Sequence, residues 1–254
     1  MDLEPIISVR NLTAGYGETR ILEDVSFDVT PGEILMIVGG SGCGKSTLLK
    51  HMIGQLAPVS GEIMVDGCNL ISSTTAEYQA LLKRIGVLYQ GSALLSSLTV
   101  GQNVALPMLE HTDLPKDAVE SLVRIKLSMV YLAGTENLLP SELSGGMRKR
   151  AGLARAMALN PRILFFDEPS AGLDPITSSE LDRLILRLNK IFGTTMVVVT
   201  HELRSIFAVA QRVIMLDKKT RGIVAQGHPL DLKNQSPHPQ VRDFFNPPGQ
   251  DNCD

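Results

Sequence analysis

With 254 residues the chain is long enough for one large α/β domain with a subdomain or a tail, and it can bury a core that needs no disulfide staples. Its 24 basic and 27 acidic residues leave a formal charge of -3, which excludes an overall basic field; nucleic acid is not expected as a partner, and any membrane attachment should run through protein. Cys43, Cys68 and Cys253 are odd in number and far apart, neither a disulfide framework nor a metal-ligand pattern, and point to a reducing cytosol.

The stretch from Met1 to Arg10 lacks a basic segment followed by an apolar run, so no signal peptide is expected. Strands are predicted at 7–13 and 21–29, joined by a turn around Gly15 and Gly17, as an antiparallel edge layer. The apolar run at 34–38 enters a glycine-rich turn and leaves through Thr47, Leu48 and Leu49, with Met52 and Ile53 at helical spacing: strand, loop, helix. A short strand at 62–65, a helix at 74–84 and a strand at 85–89 follow. Residues 100–160 carry almost no strand signal but have amphipathic stretches at 100–110 and 116–130, which read as a helical insertion. Strand and helix then alternate at 163–166, 175–191, 195–199, from Glu202, and at 213–216 and 222–225. That alternation predicts an α/β fold with a mostly parallel, helix-covered core sheet. The runs at 34–38 and 196–199 are far too short to span a bilayer. From His228 the chain turns proline-rich, so 229–254 reads as a tail with at most short helices.

Two constellations carry chemistry. Gly39-Gly40-Ser41-Gly42-Cys43-Gly44-Lys45-Ser46-Thr47 matches GxxxxGK[ST] between a strand and a helix. Its glycines let successive N–H groups turn inward onto phosphate oxygens, the helix end adds partial positive charge, Lys45 reaches the outer phosphates, and the Ser46 hydroxyl suits Mg²⁺. Cys43 reads as small filler in that loop. The buried-type strand Ile163-Leu164-Phe165-Phe166 ends in Asp167-Glu168, placing Asp167 to hold Mg²⁺ and Glu168 to polarise an attacking water. Alone, such a pair often just opens a turn, and Pro169 fits that plainer reading; beside a phosphate loop the chemical reading is preferred.

At Leu143-Ser144-Gly145-Gly146-Met147 the sequence resembles the signature motif of ABC-transporter ATPases, and the other family motifs occur in family order over nearly the whole chain. The resemblance implies a P-loop NTPase of the ABC ATPase fold over residues 5–228, with its helical subdomain at about 92–160. Tyr16 then resembles the residue that stacks on adenine, and Gln90 the Q-loop glutamine that also meets the metal. Ser170-Ala171-Gly172-Leu173-Asp174 resembles the D-loop, and His201 the switch histidine. Glu168, His201, Gln90 and Lys45 are the catalytic candidates this implies, and Ser46, Gln90 and Asp167 the metal ligands. ATP and Mg²⁺ are the implied ligands.

Ser144 is a good N-cap, and Gly145 and Gly146 allow an anion close to the helix end. In the family that helix end meets the γ-phosphate held by a second subunit, which implies a head-to-tail homodimer around two ATP molecules. Met147, where many members carry Gln, cannot donate a hydrogen bond to nucleotide; the backbone N–H groups remain.

The run Tyr89-Gln90-Gly91-Ser92-Ala93-Leu94-Leu95-Ser96-Ser97-Leu98-Thr99-Val100 and the signature continued as Met147-Arg148-Lys149-Arg150 resemble the ATPases of MCE lipid-transport systems of the Mla (maintenance of lipid asymmetry) type. That likeness implies phospholipid transport between inner and outer membranes. Its partners would be a membrane permease, a periplasm-facing MCE-domain lipid-binding subunit and a small cytosolic accessory subunit, with the chain on the cytoplasmic face of the inner membrane, held peripherally by the permease. A non-lipid solute transporter and a soluble ABC ATPase of DNA repair or translation are the alternatives; the latter usually has two cassettes or a coiled-coil insertion. A regulatory module without turnover could dispense with Glu168 and His201. Leu94, Leu95 and Leu98 fit either a groove for a permease helix or plain core. Arg148, Lys149 and Arg150 fit either an anionic-lipid patch or a solvated or paired helix face. The cluster from His238 to Phe245 fits either docking on a neighbouring subunit or capping of its own domain.

Overall fold

A computed structural model describes residues 4–17 and 19–247; Met1, Asp2, Pro248 and Cys253 lie outside the described residues. In chain order the elements are β1 (Ile7–Tyr16), β2 (Thr19–Val29), β3 (Ile34–Val38), α1 (Lys45–Met52), β4 (Ser60–Val65), β5 (Cys68–Asn69), α2 (Thr75–Leu82) and β6 (Ile85–Leu88). Then come α3 (Val100–His111), α4 (Lys116–Met129), a 3₁₀ turn (Pro140–Glu142), α5 (Gly145–Ala156), β7 (Ile163–Asp167) and α6 (Pro175–Phe192). The chain ends with β8 (Thr195–Val199), α7 (Leu203–Val209), β9 (Arg212–Asp217), β10 (Gly222–Gly227), α8 (Pro229–Gln235) and α9 (Pro239–Phe245). The α/β class and most elements follow the sequence expectation, and 100–160 holds helices without a strand. Among the described residues no helix is long and apolar enough to cross a membrane. Internal contacts divide the chain into one unit of residues 1–74 with 197–254 and a second of 75–196.

The first unit contains an antiparallel sheet of order β2-β1-β4-β5. Ile7 and Val9 are buried on β1, opposite Val29 and Phe27, but beyond Asn11 the buried positions become Leu12 and Ala14. A strand has a side-chain period of two, so this switch needs an inserted residue. Asn11 supplies it with φ 47, bonding Asp24 Oδ1 through its side-chain amide (2.7 Å) and Ser26 Oγ through its backbone N–H (2.8 Å). The bulge carries β1 on to Tyr16, past the expected end at 13. Gly15, expected in the turn, is therefore a ladder residue opposite Arg20, where a Cβ would lie 2.0 Å from the Thr19 carbonyl oxygen.

The same unit holds the strand order β10-β9-β3-β8, with β3 parallel to β9 and β10 antiparallel to it. All five residues of β3 are buried, as a strand covered on both faces requires. Glu33, just before β3, binds Arg212 on β9 at 2.6 Å and accepts from the Thr30 N–H at 2.9 Å. Burial alone would raise its pKa, but the Arg212 and Thr30 hydrogen bonds outweigh that and hold it below the usual glutamate value. A depressed carboxylate contributes stability above its unfolded pKa and loses it as pH falls through the folded value. Glu33→Gln should therefore cost about 1.5–3 kcal/mol in urea unfolding at neutral pH. The gap to wild type should close below about pH 4; a gap unchanged in acid would contradict this.

The tail forms two short helices on this unit. Val241 and Phe245 are buried, the Phe245 ring lies 5.9 Å from that of Phe207 on α7, and Arg242 donates to the Ser236 carbonyl at 2.6 Å. Val241 and Phe245 thus cap their own unit, one of the two roles expected for this cluster.

The second unit holds β7 and β6, parallel to each other from Ile85↔Ile163 to Leu88↔Phe166. Its helices bury Val104, Met108, Val119, Leu127 and Leu153. Asp174 caps α6 by accepting from the N–H groups of Ile176 and Thr177, and Gly193 ends it at φ 62. On α3, buried Asn103 accepts from the Leu95 N–H and donates to the carbonyls of Leu95, Leu98 and Thr99. One side chain thus shapes the loop after Gln90. In that loop Leu94 and Leu98 are half-buried, and Leu95 is 46% exposed, so the plain-core reading fails for Leu95.

Candidate nucleotide site

In the first unit the loop between β3 and α1 adopts the conformation its glycines permit. Gly39, Gly42 and Gly44 have φ 141, 73 and 104. At Gly39 a Cβ would stand 2.3 Å from the Leu216 carbonyl oxygen, and at Gly44 one would stand 2.8 Å from Leu22 Cδ2, whereas Gly40 and Gly42 face open space. Two glycines thus seat the loop against the sheet and two leave its outer side clear for a ligand. Lys45, the first residue of α1, donates to the carbonyls of Gly39 (2.8 Å) and Gly40 (3.1 Å), which keeps its ammonium at the loop. Ser46 is half-buried at the helix start and Thr47 is buried. The Cys43 thiol is buried, and that burial raises its pKa against the opposing pull of Lys45. A protonated, enclosed thiol suits the filler role. Tyr16 lies half-exposed at the end of β1, and His201 is exposed two residues beyond β8, next to Thr200, whose N–H donates to the Ile37 carbonyl.

The second unit carries the other sequence candidates. Asp167 ends β7, and Glu168 follows in the left-handed region at φ 48, an unusual conformation for a residue with a Cβ. Gln90 stands beyond the end of β6, the parallel neighbour of β7. Ser144 caps α5 by accepting from the Met147 N–H at 3.2 Å, the geometry expected of the signature serine. Gly146 is required by close packing, since a Cβ there would come within 2.3 Å of Thr177 Cγ2. Ser170 is buried, and the Asp174 carboxyl is held below its usual pKa by the Thr177 hydroxyl and N–H.

Among the three basic residues of the signature helix, Lys149 is the buried and paired one. Lys149 is 5% exposed, so it belongs neither to a surface lipid patch nor to a solvated face. Its ammonium donates to the carbonyl oxygens of Gln90 (2.6 Å) and Glu168 (3.3 Å). Burial lowers its pKa while the charges of Glu168 and Asp167 oppose that shift. Consecutive residues on a helix point about 100° apart, so Arg148, Lys149 and Arg150 cannot share one narrow face, and which of them turns inward is set by partners distant in sequence. Arg148, by contrast, is exposed and donates to the Leu143 carbonyl at 2.7 Å.

A family model described as "ABC transporter" matches residues 22–171. The chain is 42% identical over 241 residues to the intermembrane phospholipid transport system ATP-binding protein MlaF of Escherichia coli K12, covering 94% of this chain and 88% of that protein. It is 40% identical to a probable ribonucleotide transport ATP-binding protein, mkl, of Mycobacterium leprae, covering 97% of this chain and 70% of that one. Among solved structures, the ATP-binding cassette MJ0796, a dimer bound to ADP and Pi, superposes with TM-score 0.79 at 29% identity, over 87% of this chain and 98% of that one. CbiO1 of Clostridium perfringens, part of the cbiONQ ABC transporter complex, superposes with TM-score 0.83 at 29% identity, over 91% of each chain. The chain belongs to the ABC transporter family and is one of its ATPase subunits.

Proposed function

We propose that this chain hydrolyses MgATP as a homodimer and thereby energises a transporter that moves phospholipid between the inner and outer membranes. The observation that carries the cargo is the 42% identity to MlaF across 94% of the chain. The ATPase part rests on the phosphate loop with its lysine at α1 and on the carboxylate pair after β7.

In this reading the N–H groups of residues 39–47 and the Lys45 ammonium bind the phosphates, exchanging two loop carbonyls for phosphate oxygens. Tyr16 stacks on adenine. Glu168 accepts the proton of the attacking water, with His201 and Gln90 as the residues that orient the γ-phosphate and that water. Ser144, Gly145 and Gly146 turn the positive end of α5 to the nucleotide of the second subunit; the dimeric MJ0796 cassette supports the pairing of two chains. The oxygen donors Ser46, Gln90 and Asp167 suit Mg²⁺, a hard cation that keeps water and phosphate oxygens in its shell. When bound, the cation would neutralise charge on the phosphates.

The expected partners are a permease, an MCE-domain lipid-binding subunit and a small accessory subunit, with the chain held at the cytoplasmic face of the inner membrane by the permease. The mkl relative, named for ribonucleotide transport at 40% identity, supports a second cargo reading for the same engine. Affinity purification of the chain from its native membranes, with mass spectrometry of captured proteins and assay of bound phospholipid, separates the two. A permease and an MCE-domain protein carrying phospholipid are expected. A permease with a soluble solute-binding protein and no lipid would overturn the cargo and leave the ATPase in place.

A further inference from the structure

The signature helix does more than present its N-terminus: it grips two strained segments of backbone within the second unit. Ser92 and Ala93, just after Gln90, have φ 62 and 50, and Glu168 has φ 48. Left-handed backbone at residues with a Cβ persists only where its surroundings enforce it. At both places α5 supplies hydrogen bonds to the backbone carbonyls. Lys149 donates to the Gln90 and Glu168 carbonyls, and Arg155 donates to those of Ala93 (2.5 Å) and Ser92 (3.4 Å). Gly152, midway between them on the helix, lets the loop come close: a Cβ there would meet Leu88 Cδ1 at 2.8 Å and the Ser92 carbonyl oxygen at 3.0 Å.

Lys149, Gly152 and Arg155 recur every third residue, so one side of α5 serves this purpose. A buried ammonium is costly unless hydrogen-bonded, and here two backbone carbonyls accept from it. The bonded atoms are carbonyl oxygens of the same residues whose side chains are the candidates for water orientation and proton abstraction.

We propose that Lys149 is a positioning residue: by holding the carbonyl oxygens of Gln90 and Glu168 together from the signature helix, its ammonium fixes the backbone from which the Gln90 amide and the Glu168 carboxylate project. This rests on the ATPase reading. A displacement of about 1 Å in such groups is enough to lower turnover on the order of 100-fold, while nucleotide binding at the phosphate loop does not depend on this contact.

The test uses the full-length chain, first without nucleotide. In Lys149→Met, hydrogen exchange at the Ser92 and Ala171 amides, which donate to the Tyr89 and Glu168 carbonyls, should quicken on the order of 10-fold. Exchange at residues 39–47 should not change. In Arg155→Ala the increase should be confined to 90–93. With ATP, Lys149→Met should lose roughly 10- to 100-fold in kcat with nucleotide Kd little altered, and Lys149→Arg, which keeps charge and donors, should recover part of that loss. Unchanged exchange at both loops, or a general rise across 75–196 with kcat and binding falling together, would overturn the proposal. Should Lys149→Met fail to fold, Lys149→Gln takes its place with the same outcomes. If wild type itself does not hydrolyse ATP, the functional reading fails, and the exchange pattern still decides whether Lys149 holds the two loops.

Discussion

Glu168→Gln is expected to lose on the order of 10²–10⁴-fold in ATP turnover while still binding ATP and accumulating as the ATP-bound dimer. The amide matches the carboxylate in size but accepts no proton, so the change removes the chemistry and leaves the shape. The backbone contacts at Glu168 involve its carbonyl oxygen, which accepts from Lys149 and from the Ala171 N–H, and these survive the substitution. Loss of turnover without loss of fold is therefore the specific expectation, read by phosphate release beside size-exclusion chromatography with ATP. Equal turnover in wild type and variant would remove Glu168 as the base. Lost turnover with no dimer trapped would mean that the carboxylate acts in assembly.

Lys45→Ala should act at the earlier step, weakening ATP binding on the order of 10- to 100-fold, the effect of losing a charge-assisted hydrogen bond to phosphate. Titration calorimetry of the nucleotide measures it. The substitution also frees the carbonyls of Gly39 and Gly40, so thermal unfolding without nucleotide is the control that separates a loosened loop from a lost ligand contact. Unaltered ATP affinity with abolished turnover would assign Lys45 to the transition state alone.

The phosphate loop is legible because its motif is contiguous; the structure adds that Gly39 and Gly44 are required by close contacts of 2.3 and 2.8 Å, and Gly42 by its φ of 73. The signature was equally plain, with Ser144 capping α5 as a serine at that position should. What escaped was non-local. A period-two pattern ends where Asn11 inserts a bulge, so the length of β1 was misjudged and Gly15 was placed in the turn instead of the ladder. Lys149 sits among charges and reads as surface. Its burial depends on carbonyls 59 and 19 residues away in sequence, and no local pattern encodes those distances. The tail shows the same limit: the contact of Phe245 with Phe207, 38 residues earlier, is written in no local pattern.

ATP turnover by this chain is proposed to drive phospholipid between membranes. The most direct measurement reconstitutes the complex captured with this chain into vesicles holding a fluorescent phospholipid and follows transfer to acceptor vesicles with and without ATP. Transfer that requires ATP and is lost with Glu168→Gln is the result expected. ATP hydrolysis that proceeds normally while lipid transfer stays at the level without ATP would contradict the claim.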